Sequence, residues 1–375
     1  MNFLIITHVP HIYQNKEWYG YAPYVREMNI WLKYVDEVTI VSPKHQAKPS
    51  AIDMAYQHEQ ITHKAIPEIA FINFSKALKS LLSLPLILFT LCKACQQADH
   101  IHLRCPGNIG LLGCFVQLFF PKKIKTAKYA GNWDPNSKQP LSYRMQKWLL
   151  SNTSLTKNMT VLVYGDWPNQ TKNIKSFFTA TFTEDEKEPL DVRDYSSTLE
   201  FMFVGSLVDG KRPLFAIQLI EQLLGNGQEV CLHLFGDGVL RPELENYIKT
   251  HQLESYIILH GNQPKDIIKN YYRTSHFLIL GSKSEGWPKV VAEAMFFGVI
   301  PLSTRVSCVP NMLGLGERGI LIAADVDQAI KVFDNYTESD FKTMSIKALE
   351  WSQEYTLDRF ESEVRDLILF EENRE

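Results

Sequence analysis

Short runs of branched and aromatic residues alternate along this chain with longer segments of helical period. The runs NFLIITH (2–8), EVTIVSP (37–43), HIHLRC (100–105), KIKTAKYA (123–130), TVLVY (160–164) and KSFFTATF (175–182) read as strands. Segments near 22–34, 75–97, 107–119 and 140–151 read as the helices between them. Around 183–198 the pattern breaks. TEDEKEPLDVRDYSST is polar, has no apolar period and carries Pro189, as an interdomain connection would. A second alternation follows, with strands at 199–205, 229–236, 256–261, 276–282, 299–303 and near 319–323. Helices at about 213–224, 242–251 and 264–274, one starting at Pro288, and two at the C-terminal end separate or follow them.

This alternation predicts an α/β protein built of two Rossmann-like, doubly wound domains, residues 1–185 and 186–350. A helix within 351–375 is expected to pack back toward the N-terminal domain. Open α/β sheets take ligands beyond the carboxyl ends of their strands. Two such sheets are expected to face a central cleft, so the loops after each strand are where chemistry is sought.

Composition narrows the class. At 375 residues, 45% hydrophobic and 22% charged, the chain has the balance of a folded globular protein. A net charge of −3 gives no reason to expect nucleic acid as a partner. The segment MNFLIITHVPHIY lacks a basic stretch and its apolar run stops at Thr7, so it reads as a strand and not as a signal peptide. The apolar run LLSLPLILFTLC (81–92) is interrupted by Pro85 and too short to span a bilayer, which makes a cytoplasmic location the expectation. The six cysteines are then expected as reduced thiols. Cys92, Cys95, His100, His102 and Cys105 crowd one stretch, but the first two lie in an apolar helical run and read as core, not as a zinc cluster.

The segment SKSEGWPKVVAEAM carries the clearest chemistry. Pro288 suits the first position of a helix, Gly286 permits close backbone approach, and the N–H groups of Trp287, Lys289 and Val290 suit an anion such as a diphosphate. Glu285 before the helix and Glu293 within it can accept hydrogen bonds from hydroxyls at two places along an elongated ligand.

E-G-W-P-K-V-V-A-E-A-M resembles the E-x7-E motif of retaining glycosyltransferases of the GT-B fold, family four in particular. The resemblance implies that Glu285 contacts donor-sugar hydroxyls and Glu293 the nucleotide ribose. F-V-G-S-L-V-D-G-K-R-P (203–213) is similar to the family's diphosphate loop, with Gly205 in the turn and Lys211 on the lysine position. Ser206 stands where many members have arginine, and Arg212 or Lys289 could replace that charge. L-F-G-D-G (234–238) resembles the strand-loop where Gly236 and Gly238 let backbone approach the nucleotide, and Asn262 in H-G-N-Q-P lies where the base is cradled.

The N-terminal half matches less well. Only Gly20 answers to a Gly-rich loop after the first strand, and Asn132 and Asp134 lie near where members have a histidine. These three, with Arg104, are acceptor-side candidates, and His8 and His11 remain open. The resemblance implies a nucleotide diphosphate-sugar donor, a glycan or lipid-linked glycan acceptor, no metal and no resident cofactor. It also implies bacterial polysaccharide assembly with possible peripheral contact to the inner membrane face, where Lys76, Lys79 and Lys93 on an apolar helix could serve. A nucleotide-sugar epimerase, an inverting transferase or a non-catalytic binding subunit on the same scaffold are the alternatives.

Overall fold

The computed structural model describes residues 1–375 apart from 51, 70–72, 190–192 and 373–375, and apart from the side chains of 74, 76 and 370–372. It divides into two compact units, residues 1–177 with 361–375, and residues 178–360.

In the first unit the strands are β1 (Asn2–Ile6), β2 (His11–Gln14), β3 (Glu17–Tyr21), β4 (Glu37–Ser42), β5 (Lys44–His45), β6 (Asp53–Ala55), β7 (Ile61–Ala65), β8 (His100–Cys105), β9 (Ile124–Tyr129), β10 (Met159–Tyr164) and β11 (Ile174–Phe177). Its helices are α1 (Ala22–Trp31), α2 (Phe74–Gln97), α3 (Asn108–Val116) and α4 (Leu141–Ser151). Among the described residues a seven-stranded parallel sheet runs β11-β10-β9-β8-β1-β4-β7. β1 (NFLII) is apolar on consecutive positions, as a strand covered on both faces is, whereas β8 and β9 interleave apolar residues with the buried polar His100, His102, Lys125, Thr126 and Lys128. Leu4, Ile6, Ile101, Leu103, Ala127, Val161 and Val163 join Ile87 and Leu91 of α2 in one core. A second, four-stranded sheet, β5-β2-β3-β6, went unread in the sequence. Its hairpin turns on Asn15 and Lys16, both at positive φ.

In the second unit the strands are β12 (Leu199–Val204), β13 (Val230–Phe235), β14 (Ile257–Gly261), β15 (Phe277–Leu280), β16 (Ile300–Thr304) and β17 (Ile320–Ile322). Helices α5 (Pro213–Gly225), α6 (Arg241–Thr250), α7 (Lys265–Thr274), α8 (Lys289–Phe296), α9 (Val309–Met312), α10 (Val326–Phe333) and α11 (Glu338–Ser352) accompany them. The parallel order is β14-β13-β12-β15-β16-β17, so all carboxyl ends share one side. Local chemistry fixes helix starts. Pro213 opens α5, Asp325 accepts from the Gln328 N–H, and Thr337 and Asp340 cap α11 reciprocally.

The boundary differs from the expected 185/186. The chain leaves the first sheet after Phe177, and the next aromatics pack in the second unit. Phe178 meets Tyr355 and Phe360, and Phe182 meets Phe296 and Phe297. The polar stretch 183–198 therefore belongs to the second unit, with its residues 190–192 outside the described residues. The last helix, α12 (Leu357–Glu372), is divided too. From residue 361 it lies with the first unit, where Glu361 meets Lys33 at 2.7 Å and Tyr34 at 2.9 Å, and Glu363 meets Lys175 at 2.6 Å.

Pro85 does not interrupt its helix. α2 continues through it, because Pro85 and Leu81, whose carbonyl loses its donor, are on the exposed side and water can satisfy that carbonyl. Among the described residues, Ala77–Gln97 is the one helix long and apolar enough to cross a membrane by length and composition. One side of it is core. Another exposes Leu78, Leu81, Leu82, Leu86 and Phe89, with Leu82 at 73% and Phe89 at 67%.

Candidate functional site

Two loops at the carboxyl side of the second sheet carry the strongest sequence candidates. After β12 the chain turns through residues 205–212, and after β15 through 281–288. The first ends in a 3₁₀ turn, Asp209–Lys211, and in Arg212, whose left-handed backbone (φ 51°) aims the chain into α5. The loops clasp each other at several points. Arg212 Nη1 donates to the Gly281 carbonyl at 3.1 Å, and the Lys283 N–H donates to the Gly210 carbonyl at 2.9 Å. Lys283 Nζ also pairs with Asp209 at 2.5 Å. Within this frame Lys211 Nζ donates to Glu285 Oε1 at 2.5 Å. Residues 74 positions apart thus meet, and the carboxylate is only 10% exposed.

The glycines of the neighbouring loop have a structural role in this arrangement. A Cβ on Gly236 (φ +131°) would lie 1.9 Å from the Gly205 carbonyl oxygen, and one on Gly238 2.4 Å from that of Leu207. The backbone these glycines admit is that of the 205–207 loop, which bonds 235–237 through Gly205 N–H to Phe235 (2.9 Å) and Leu207 N–H to Asp237 (3.0 Å). Backbone contact was legible in the sequence. Its partner, a second loop, was not.

Pro288 precedes α8 by one residue, in extended conformation, so the helix begins at Lys289 and not at the proline. The turn ahead of it is held from behind, where the Gly286 carbonyl accepts from Ser307 Oγ at 2.8 Å and Cys308 Sγ at 3.4 Å. The Cys308 thiol is pushed up to about 12, chiefly by burial and with a contribution from the Glu285 carboxylate, so it stays a neutral donor. Trp287 stacks toward Trp351 and Tyr355. Lys289 and Val290 are half-buried in the first turn of α8.

Glu293 is engaged elsewhere. Its carboxylate accepts from Thr181 Oγ1 at 2.7 Å and from the phenol of buried Tyr272 at 3.1 Å. Burial and the adjacent carboxylate hold the Tyr272 pKa well above its ordinary value, which keeps the phenol a donor. Sequence reading missed Thr181, Tyr272, Asp209 and Lys283. No motif spacing links them to the glutamates. Ser206 and Asn262 are exposed in their loops.

The acceptor-side candidates in the first unit have structural partners. Gly20 sits inside β3, opposite Met54, and not in a loop as expected, and a Cβ there would meet Val25 at 3.2 Å and His11 at 3.6 Å. Arg104 is pinned by Glu27 at 2.7 Å and lies over the Tyr24 ring. Asn132 and Asp134 accept backbone N–H groups two residues ahead, as turn residues do. His11 is buried between Tyr56 and Ser42. His100 and His102 share the hydroxyl of Thr126, and the Cys105 and Cys114 thiols lie 3.8 Å apart.

Comparison with known proteins adds to this geometry. Residues 185–345 match the family described as Glycosyl transferases group 1. An uncharacterized glycosyltransferase of Methanocaldococcus jannaschii is 28% identical over 162 residues, 42% of this chain and 44% of that protein. The putative colanic acid biosynthesis glycosyltransferase WcaL of Salmonella typhimurium is 28% identical over 138 residues, 35% of this chain and 34% of that one. The chain thus spans less than half the length of these two curated relatives. Among solved structures, the lipopolysaccharide outer core galactosyltransferase WaaB superposes with a TM-score of 0.68 at 14% identity, covering 99% of both chains. Anabaena HepE in complex with UDP and glucose gives 0.65 at 14% identity over 98% of both. The fold is therefore the GT-B fold of two Rossmann-like α/β domains. Residues 185–345 are similar to the group 1 glycosyl transferases.

Proposed function

We propose that the protein is a retaining glycosyltransferase. It moves a hexosyl or related sugar from a nucleotide diphosphate-sugar to a hydroxyl of a glycan or lipid-linked glycan, in surface polysaccharide assembly. The observation that carries this reading is the Lys211–Glu285 pair, held between two clasped strand-loops at the carboxyl side of the second sheet. An ammonium has three protons to donate. With one on Glu285, two face outward for diphosphate oxygens. The second Glu285 oxygen is left for a sugar hydroxyl, and the start of α8 adds backbone dipole to the same anion. Glu293, already accepting from Thr181 and Tyr272, retains lone pairs for a ribose hydroxyl.

In the step itself the bond from the anomeric carbon to the diphosphate oxygen breaks and the acceptor oxygen bonds the same carbon on the same face. The acceptor's proton passes to the leaving phosphate oxygen, so no protein nucleophile is needed. Lys211 stabilises the charge that develops on the diphosphate, and the reading assigns no divalent ion to that task.

The test is transfer from UDP-, GDP-, ADP- and CMP-sugars to a hydroxyl acceptor, with NMR of the anomeric proton of the product. Coupling that matches the donor's configuration is the expected result. An inverted product would sink the retaining assignment, and no transfer from any donor would sink the enzyme reading.

The same reading assigns the exposed apolar side of α2 to the surface of an anionic bilayer, where a lipid-linked acceptor would reside. Lys79, on the same helix, would meet lipid phosphates. Co-sedimentation with phosphatidylglycerol vesicles is expected, and Leu82→Asp with Phe89→Asp should reduce it at least tenfold. Equal sedimentation of the wild-type and doubly substituted proteins would remove α2 from that role.

A further inference from the structure

We propose that Glu200, Cys231 and His233 form a zinc-binding site in the second unit, remote from the Lys211–Glu285 pair. Glu200 is the second residue of β12, and Cys231 and His233 are the second and fourth of β13. The parallel register sets Glu200 beside Cys231 and Met202 beside His233. Side chains alternate along a strand, so all three groups emerge on one face of the sheet.

Their spacing is that of metal ligands. His233 Nε2 lies 3.0 Å from Glu200 Oε2 and 3.7 Å from Cys231 Sγ, and the three ligand atoms all lie within 4.8 Å of one another. Tetrahedral zinc, with bonds of about 2.0 Å to N and O and about 2.3 Å to S, separates its ligand atoms by about 3.3–3.6 Å. Two of the three pairs are close to that spacing already. Rotation of the Glu200 side chain, which is 34% exposed, adjusts the third.

The surroundings fit as well. His233 Nδ1 lies 2.9 Å from His260 Nε2. With Nε2 on the ion, Nδ1–H donates to His260, the kind of outer hydrogen bond that fixes the tautomer of a ligating histidine. His260 and Tyr271 pack against the His233 ring and restrict its rotation. The exposed side at Glu200 leaves a fourth position to water. A thiolate, an imidazole and a carboxylate suit zinc, whereas calcium and magnesium take oxygen ligands. Binding releases the Cys231 thiol proton and any proton on His233 Nε2. The site lies toward the amino ends of β12 and β13, whereas Lys211 and Glu285 follow the carboxyl ends of β12 and β15. The ion would therefore tie two strands together and take no part in sugar transfer.

The test is titration of the metal-stripped full chain with Co²⁺, reading the thiolate-to-cobalt charge-transfer band and the visible bands of tetrahedral cobalt. One ion per chain is expected, displaced by Zn²⁺. Cys231→Ser should abolish the band, and His233→Gln and Glu200→Gln should each weaken binding at least tenfold. Cys92→Ser, in the first unit, should leave it intact. Circular dichroism of each variant separates lost ligation from lost folding, and Glu200→Gln is the variant least disturbing to the fold. The proposal is overturned by absence of saturable binding, by a charge-transfer band that survives Cys231→Ser, or by a folded Glu200→Gln protein that binds as tightly as the wild type.

Discussion

Replacing Lys211 by alanine is expected to lower kcat/KM for the nucleotide diphosphate-sugar by about 100-fold, or ~2.7 kcal/mol of transition-state stabilisation. Two effects act together. The cation that meets the departing diphosphate is lost, and the Glu285 carboxylate, 10% exposed, loses its partner at 2.5 Å. A nearly buried anion left unpaired costs folding stability and repels the diphosphate as well. The double variant Lys211→Ala with Glu285→Gln separates these effects, because glutamine removes the stranded charge and still accepts a hydrogen bond from a sugar hydroxyl. If Lys211 acts on the diphosphate, the double variant should regain melting temperature relative to Lys211→Ala but stay about 100-fold slow. Recovery of turnover along with stability would mean that Lys211 serves only to neutralise Glu285. The pair is in direct contact, so the single effects are not expected to add.

What the sequence revealed follows from the range over which each signal acts. The two alternations of strand and helix were legible because buried parallel strands, such as FMFV in β12 and FLIL in β15, read as unbroken apolar runs. The hairpin at His11–Tyr21 was not, because its turn places Asn15 and Lys16 at positive φ where an Asn-Gly pair would have announced it. Pro85 misled in the other direction. The helix itself was read at about 75–97, but a proline on the exposed side of a long helix costs less than its reputation, and the apolar run taken to be cut at Pro85 extends over Ala77–Gln97. The glutamates of the site could be picked from their turn chemistry, since Gly286, Trp287 and Pro288 lie between them in sequence. Their pairing could not. Lys211 was picked from its own loop, but its contact with Glu285, like those of Thr181 and Tyr272 with Glu293 and of Cys231 and His233 with Glu200, is made only in the folded chain.

The first unit is expected to unfold in mild acid, well before its carboxylates are protonated. His11, His100 and His102 are fully buried. Burial lowers His11 to about 3 and His100 to about 3, and it carries His102 well below the ordinary value of 6.5. Burial is what holds each neutral, and each makes hydrogen bonds in that form. His11 sits between Tyr56 at 2.7 Å and Ser42 at 2.7 Å, and His100 and His102 share Thr126 at 2.8 and 2.9 Å. The outer nitrogens of the latter two, His100 Nδ1 and His102 Nε2, have no hydrogen-bond partner among the described residues, so a proton there would be a buried charge without an acceptor. The folded pKa values lie below the unfolded one, so the unfolded chain takes up protons first as pH falls through 6.5. Stability is lost from there down toward 3. At pH 5.5 each histidine costs on the order of 1 kcal/mol, and the three together a few kcal/mol, a large share of the roughly 5–15 kcal/mol that holds a domain. Hydrogen exchange followed by mass spectrometry at pH 7.5, 6.5 and 5.5, corrected for intrinsic rates, should show the protection of β1, β8 and β9 falling steeply across the lower interval. His11→Asn, if folded, should flatten that fall by about one proton's worth. Protection that stays constant to pH 5 would mean that these imidazoles reach water in the native state, and the burial assigned to them would be wrong.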